Sequence, residues 1–159
     1  MKFISFNHDN SEKFGIIENN LITDLTGKID GASSLKELIK IKKIKEAKEY
    51  AKSNPGSIKP DEIKYSPLIP NPGKIICVGL NYSEHVKETN RTVEENPVIF
   101  HRFPESQTAH MQAIQRPTVS ESLDFEGEMA VIMGEGGKHI KPEDALKHII
   151  GFSCYNEST

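Results

Sequence analysis

The stretch Leu123–Gly137, LDFEGEMAVIMGEGG, decides how the rest of the chain is read. Apolar residues alternate through Phe125–Met133 and stop at a glycine turn, which is the signature of a half-buried β-strand. In a strand, residues i and i+2 point to the same face. Glu126 and Glu128 therefore project together, roughly 7 Å apart along the backbone. Ala130 and Ile132 continue their face, while Phe125, Met129, Val131 and Met133 take the other. Gly127 between the two acids removes a side chain and lets another backbone approach. Two readings fit such a pair. An edge strand with its polar face in water carries glutamates at this spacing. Alternatively, like charges this close repel unless a cation or basic group separates them, and side-by-side carboxylates suit a hard divalent cation.

The neighbouring segments extend the second reading. Upstream, KIICVG (Lys74–Gly79) and PVIF (Pro97–Phe100) are predicted as short buried strands, with a loop or helical turn at Asn81–Glu88 between them. If Ser83–Glu88 is helical, His85 and Glu88 share a face at i, i+3. A carboxylate bonded to an imidazole raises its basicity and fixes its tautomer, which suits a general base that activates water. The same spacing also occurs on helices where both side chains are simply solvated. Downstream, Pro142-Glu-Asp144 opens a helix that Gly151 is expected to close, and Phe152–Tyr155 begins another strand. A third acid, Glu157, follows it.

The first seventy residues form a different pattern. MKFISF alternates, a turn falls at Asn7–Asn10, and GIIENNLITDL is a hairpin turning at Asn19-Asn20. Ser34 with Glu37 makes a capping box, which predicts one helix through about Ser53 with Leu35, Leu38, Ile39, Ile44, Ala47 and Ala51 on a drifting apolar face. Its lysines form the solvated face. Asn54-Pro-Gly56 breaks the helix, and prolines at 60, 67, 70 and 72, with a short strand at Ile63–Tyr65, mark a linker. The expected division is a small N-terminal domain at 1–70 and a second unit at 71–159.

Composition narrows the function classes. In 159 residues the formal net charge is −3, which gives no reason to expect nucleic acid as a partner. No apolar run approaches a membrane span, and MKFISFNHDN lacks the apolar region of a secretory signal, so the expected location is the cytoplasm. Cys77 and Cys154 are predicted as buried free thiols rather than a disulfide or zinc pair. Gly134–Gly137 lacks the spacing of a dinucleotide loop. His101, His110, His139 and His148 show no ligand spacing. His110 and Gln112, in the polar stretch after Phe103, are placed where they can approach a substrate.

Taken in order, KIICVGLNYSEHVKE, PVIF, DFEGEMAVIMG, PEDAL and GFSCYNEST resemble the fumarylacetoacetate hydrolase family from about Lys74 to the last residue. The resemblance implies an α+β, β-rich fold, a mixed β-sandwich roll behind a small N-terminal α+β domain, usually paired as a homodimer. It implies that Glu126, Glu128 and Glu157 hold a divalent cation, Mg²⁺ or else Mn²⁺ or Ca²⁺, and that His85 and Glu88 are the catalytic dyad. Tyr82 and Arg102 become candidate substrate contacts. The implied chemistry is metal-dependent hydrolysis of a carbon–carbon bond in a small β-dicarbonyl acid such as an acylpyruvate. The alternatives are oxaloacetate decarboxylation, oxo-acid hydration or isomerisation through the same enolate, and a non-catalytic binding or assembly module. Three departures stand out. Glu157 replaces the usual aspartate, His101-Arg102 stands where many members have lysine, and the family's catalytic domain continues past Thr159, so its first part alone is matched here.

Overall fold

The structure is a computed structural model, and it describes residues 1–88 and 95–159. In its first part, β1 (Lys2–His8), β2 (Ser11–Glu18) and β3 (Leu21–Asp24) form consecutive antiparallel hairpins. Asp9-Asn10 and Asn19-Asn20 make the two turns, all four residues at positive φ, as a two-residue hairpin with right-handed strand twist requires. Helices α1 (Leu35–Lys40) and α2 (Ile44–Ser53) follow, and the short β4 (Lys64–Tyr65) pairs with β1 to complete a sheet in the order β3-β2-β1-β4.

The single helix expected over 34–53 is two helices. Ser34 caps α1 as predicted, its hydroxyl accepting the Glu37 N–H at 3.2 Å. The helix then closes on Lys42, whose φ is 58°. The Lys43 N–H bonds the Leu38 carbonyl and the Lys42 N–H bonds that of Ile39, a Schellman closure. This break re-phases the drifting apolar stripe. Leu35 and Leu38 of α1 and Ala47 and Ala51 of α2 thereby reach one core with Phe14, Ile16, Leu25, Ile29 and Ala32.

Asp24 ties the end of β3 to β2. Its carboxylate accepts the Thr26 N–H at 2.8 Å and the Lys13 ammonium at 2.7 Å. Burial acts to raise its pKa, but these bonds outweigh burial and hold it below the usual carboxylate range. A carboxylate depressed in the folded state contributes stability above its unfolded pKa, and that contribution is lost as pH falls through the folded value. Asp24→Asn is therefore expected to flatten the acid limb of stability below about pH 4. Urea midpoints at pH 7 and pH 3 check this, and equal acid slopes in both proteins would refute it.

The second part holds two antiparallel pairs. β5 (Ile75–Gly79) pairs with β6 (Val98–Arg102), and β7 (Gly127–Met133) pairs with β8 (Ile149–Asn156). The six-residue helix α3 (Ser83–Glu88) follows β5 after a turn at Leu80, φ 55°. Several expectations change here. The Val98 strand runs through Arg102 and so carries His101-Arg102 itself. A seven-residue 3₁₀ turn occupies Pro142–His148, and Gly151 lies inside β8 instead of ending a helix. The cause is at the turn into β8. The Gly134 and Glu135 N–H groups both take the His148 carbonyl, which starts the strand at Ile149. Gly134 also leaves room for Ile150, whose Cβ would lie 2.8 Å from any Cβ placed there.

Nor are the strands buried on both faces. Ile76, Val78 and Ile99 on one side of β5–β6 are exposed, as are Met129, Val131, Met133 and Phe152 on β7–β8. Cys154 lies on that exposed face and Cys77 is half-buried, so neither thiol is fully buried as expected. Among the described residues, no helix is long and apolar enough to cross a membrane.

Candidate metal and substrate site

The half-buried faces of the two strand pairs carry the site residues. On β7–β8 the register pairs Gly127 with Asn156 and Glu128 with Tyr155. It continues past β7, where the Glu157 N–H bonds the Glu126 carbonyl at 2.9 Å and Asp124 and Thr159 exchange bonds. Glu126 and Glu157 thus stand directly opposite each other, with Glu128 two residues along on the same face. Cross-strand neighbours of this kind have Cβ atoms about 5 Å apart. Asn156 fixes the position of Glu126, its side-chain oxygen accepting the Glu126 N–H at 2.8 Å.

Two of these acids find partners, Glu157 on the other strand pair and Glu128 in the loop between β5 and α3. Arg102 at the end of β6 places both Nε and Nη2 on Oε1 of Glu157. The guanidinium carbon sits 5.6 Å from the Phe100 ring centroid, a cation–π contact that holds the side chain against its own strand. Glu157 is 8% exposed, whereas the Arg102 side chain is 37% exposed. Bonding to Glu157 raises the Arg102 pKa against the opposing effect of burial. Tyr82 donates its hydroxyl to Oε2 of Glu128 at 3.2 Å. The Glu128 charge, and then this bond, raise the Tyr82 pKa. Burial and then the charge of Glu157 raise the Cys77 thiol, and burial, Cys77 and Glu157 raise Tyr155. The Glu126 carboxylate has no hydrogen-bond or ion-pair partner among the described residues.

The structure thus sets Glu126, Glu128 and Glu157 on one face of the β7–β8 ladder, with Tyr82 bonded to Glu128 and Arg102 to Glu157. Glu88 falls on α3 one turn beyond residue 85, and the His85 side chain lies outside the described residues. His110 instead stacks edge-on against Tyr65, and Gln112 bonds the Tyr65 carbonyl, which places both beside β4. Three roles were missing from the sequence reading: Arg102 as the partner of Glu157, Asn156 as the anchor of Glu126, and Cys77 facing the acids. The N-E-S-T context held a signal only for Asn156.

A divalent cation is the group that the resemblance implies. The strands fit it, because they set three hard oxygen donors on one face with two directly opposed. Two of the three side chains are turned to other partners, Glu128 to Tyr82 and Glu157 to Arg102. Among the described residues, no three acidic, histidine or cysteine side chains converge on one point.

The class these features define is an α+β fold with two antiparallel ladders, one carrying three acids on its half-buried face and the other the arginine that bonds Glu157. The model of the fumarylacetoacetate (FAA) hydrolase C-terminal domain matches residues 74–159, and the chain belongs to that family. It is 37% identical over 111 residues to mitochondrial oxaloacetate tautomerase fahd2 of Xenopus laevis, covering 70% of this chain and 35% of that protein. It is 39% identical over 96 residues to the human mitochondrial oxaloacetate tautomerase FAHD2A, covering 60% of this chain and 31% of that protein. Among solved structures, the fumarylacetoacetate hydrolase of Exiguobacterium antarcticum superposes with TM-score 0.73 at 28% identity, over 100% of this chain and 56% of that one. The maleylpyruvate hydrolase of Sphingobium sp. SYK-6, solved with manganese(II) and pyruvate, superposes with TM-score 0.79 at 19% identity, over 100% of this chain and 59% of that one, a likeness of fold. The chain spans about a third of the length of these curated relatives and just over half of these solved chains.

Proposed function

We propose that this chain supplies the metal-binding and substrate-binding face of an enzyme that interconverts the enol and keto forms of a small 2-oxo dicarboxylic acid such as oxaloacetate. One observation carries this reading. Glu126 and Glu157 oppose each other across one ladder, with Glu128 beside them on the same face. The identity to oxaloacetate tautomerases favours this reaction among those open to the family.

Glu126, Glu128 and Glu157 would hold the cation. When bound, it supplies Lewis-acid stabilisation of the charge that an enolate develops. Arg102 presents a guanidinium for one substrate carboxylate, a partner it can take bidentately. Tyr82 would orient Glu128 through its hydroxyl, and at half exposure it could turn that one donor to a bound acid in place of Glu128. Asn156 keeps the Glu126 backbone in place.

The test follows the decay of enol-oxaloacetate absorbance with the chain present, with Mg²⁺ or with chelator, against matched buffers containing the same free metal. Decay faster than the metal-containing buffer, abolished by chelator, is the expected result. Equal rates in every condition, with the fold intact, would remove the reading. A second reading, hydrolysis of an acylpyruvate carbon–carbon bond, is favoured by the helical geometry of Ser83–Glu88, which sets residues 85 and 88 one turn apart for a base and its orienting acid. Metal-dependent release of pyruvate from an acylpyruvate separates the two.

A further inference from the structure

Glu157 is the most enclosed of the three acids, and a buried carboxylate needs a compensating charge. Arg102 supplies it, with two nitrogens on Oε1. A cation ligated by the same oxygen meets that guanidinium in its way. The two positive groups compete for one carboxylate, and both cannot hold Oε1 at full strength. The Arg102 side chain has somewhere to go, since more than a third of it faces water and the Phe100 ring steadies its stem.

We propose that Arg102 is the resident counter-ion of Glu157, that a divalent cation must displace it to complete the three-carboxylate site, and that the released guanidinium then receives the substrate's carboxylate. This rests on the metal site read above. Metal loading and oxo-acid binding are thereby coupled. Before loading, Arg102 is neutralised by Glu157 and has little to offer an anion. After loading, Glu157 is neutralised by the metal and Arg102 carries an unpaired charge toward solvent. Linkage makes the coupling reciprocal, so an oxo acid that engages Arg102 also tightens the metal. The apparent metal affinity is lowered by the fraction of molecules in which Arg102 holds Glu157. Arg102 is in this respect a positioning residue for the metal and a binding residue for the substrate.

A double-mutant cycle read by calorimetric Mn²⁺ titration tests this on the whole chain. Arg102→Gln should tighten Mn²⁺ by about tenfold, the size of one charge-assisted contact removed from competition. Arg102→Lys should restore affinity toward that of the unaltered chain. In a Glu157→Gln background Arg102→Gln should no longer tighten Mn²⁺, because the contact it relieves is gone. The double variant leaves no unpaired buried charge, so it reports even if Arg102→Gln alone folds poorly. Pyruvate serves as the second probe. Mn²⁺ should strengthen its binding to the unaltered chain and do so far less for Arg102→Gln. If Mn²⁺ binds and Glu126→Ala abolishes it, but Arg102→Gln does not tighten it, the counter-ion role falls and the metal site stands. Tightening that survives in the Glu157→Gln background would show charge acting at a distance and overturn the role too. No Mn²⁺ binding by any variant would remove the metal site and this inference with it.

Discussion

Phe14→Ala is expected to lower stability by about 3–5 kcal/mol, the range for truncating a buried phenylalanine. Phe14 is 1% exposed and sits in the cluster that joins β2 to both helices. The partly buried residues packed on that cluster are Phe3, Ile39, Ile41, Ile44, Tyr50, Leu68 and Ile69. All of them precede residue 70, so the cavity opens where the chain has nearly all its large buried side chains. Total stabilities of domains run to only about 5–15 kcal/mol, so the variant is expected to be partly unfolded at physiological temperature. Urea unfolding followed by far-UV circular dichroism checks it, since the chain has no tryptophan. A midpoint shift equivalent to less than about 1 kcal/mol would contradict the packing described. We propose that residues 1–70 are a folding unit of their own. The same titration bears on this, because loss of helical signal before loss of the β5–β8 signal is its expected form.

Much of the first part was legible in the sequence because its signals are local. Asn19-Asn20 specifies a turn through backbone preference alone, and Ser34 with Glu37 specifies a helix start. The break at Lys42 was not legible, since lysine has no preference for positive φ. That turn is dictated by the need of Leu38 and Ala47 to reach one core, which is a tertiary demand. Pro142-Glu-Asp144 gave a true start signal, but the stop was misplaced at Gly151. The helical pattern there is overridden by the pairing of Ile149 with Met133, a contact between residues far apart in sequence.

At the site, spacing within one strand was readable and contacts between strands were not. Period-two alternation puts Glu126 and Glu128 on one face without any knowledge of the fold. The opposition of Glu126 and Glu157 depends on the register of β7 with β8, and no spacing rule yields it. The Arg102–Glu157 pair depends further on how β5–β6 meets β7–β8. The reading of KIICVG and PVIF as buried strands failed for a related reason. Continuous apolar runs are expected where both faces are covered, yet Ile76 and Ile99 are 61% and 56% exposed.

Glu126→Ala is the site variant with the largest expected effect, at least about a hundredfold loss of metal-dependent turnover together with loss of Mn²⁺ binding. The reasoning is by elimination among the three acids. Glu157 has a protein partner in Arg102, and Glu128 has one in Tyr82. Any metal must compete for those two carboxylates. Glu126 has none among the described residues, so its full affinity is open to a cation. Its backbone is nonetheless fixed, by the Asn156 side chain at the amide and by the Glu157 N–H at the carbonyl. A donor that is both unengaged and preorganised would be more open to a cation than the two carboxylates that Tyr82 and Arg102 hold. Glu126→Ala also leaves no buried group without its partner, so the fold should be unaffected and its urea midpoint should match that of the unaltered chain. Binding and turnover that survive Glu126→Ala would place the cation elsewhere. A collapse of the midpoint would show instead that Glu126 is structural, whereas survival of binding, turnover and midpoint alike would return the E-x-E pair to the plain reading of two solvated glutamates.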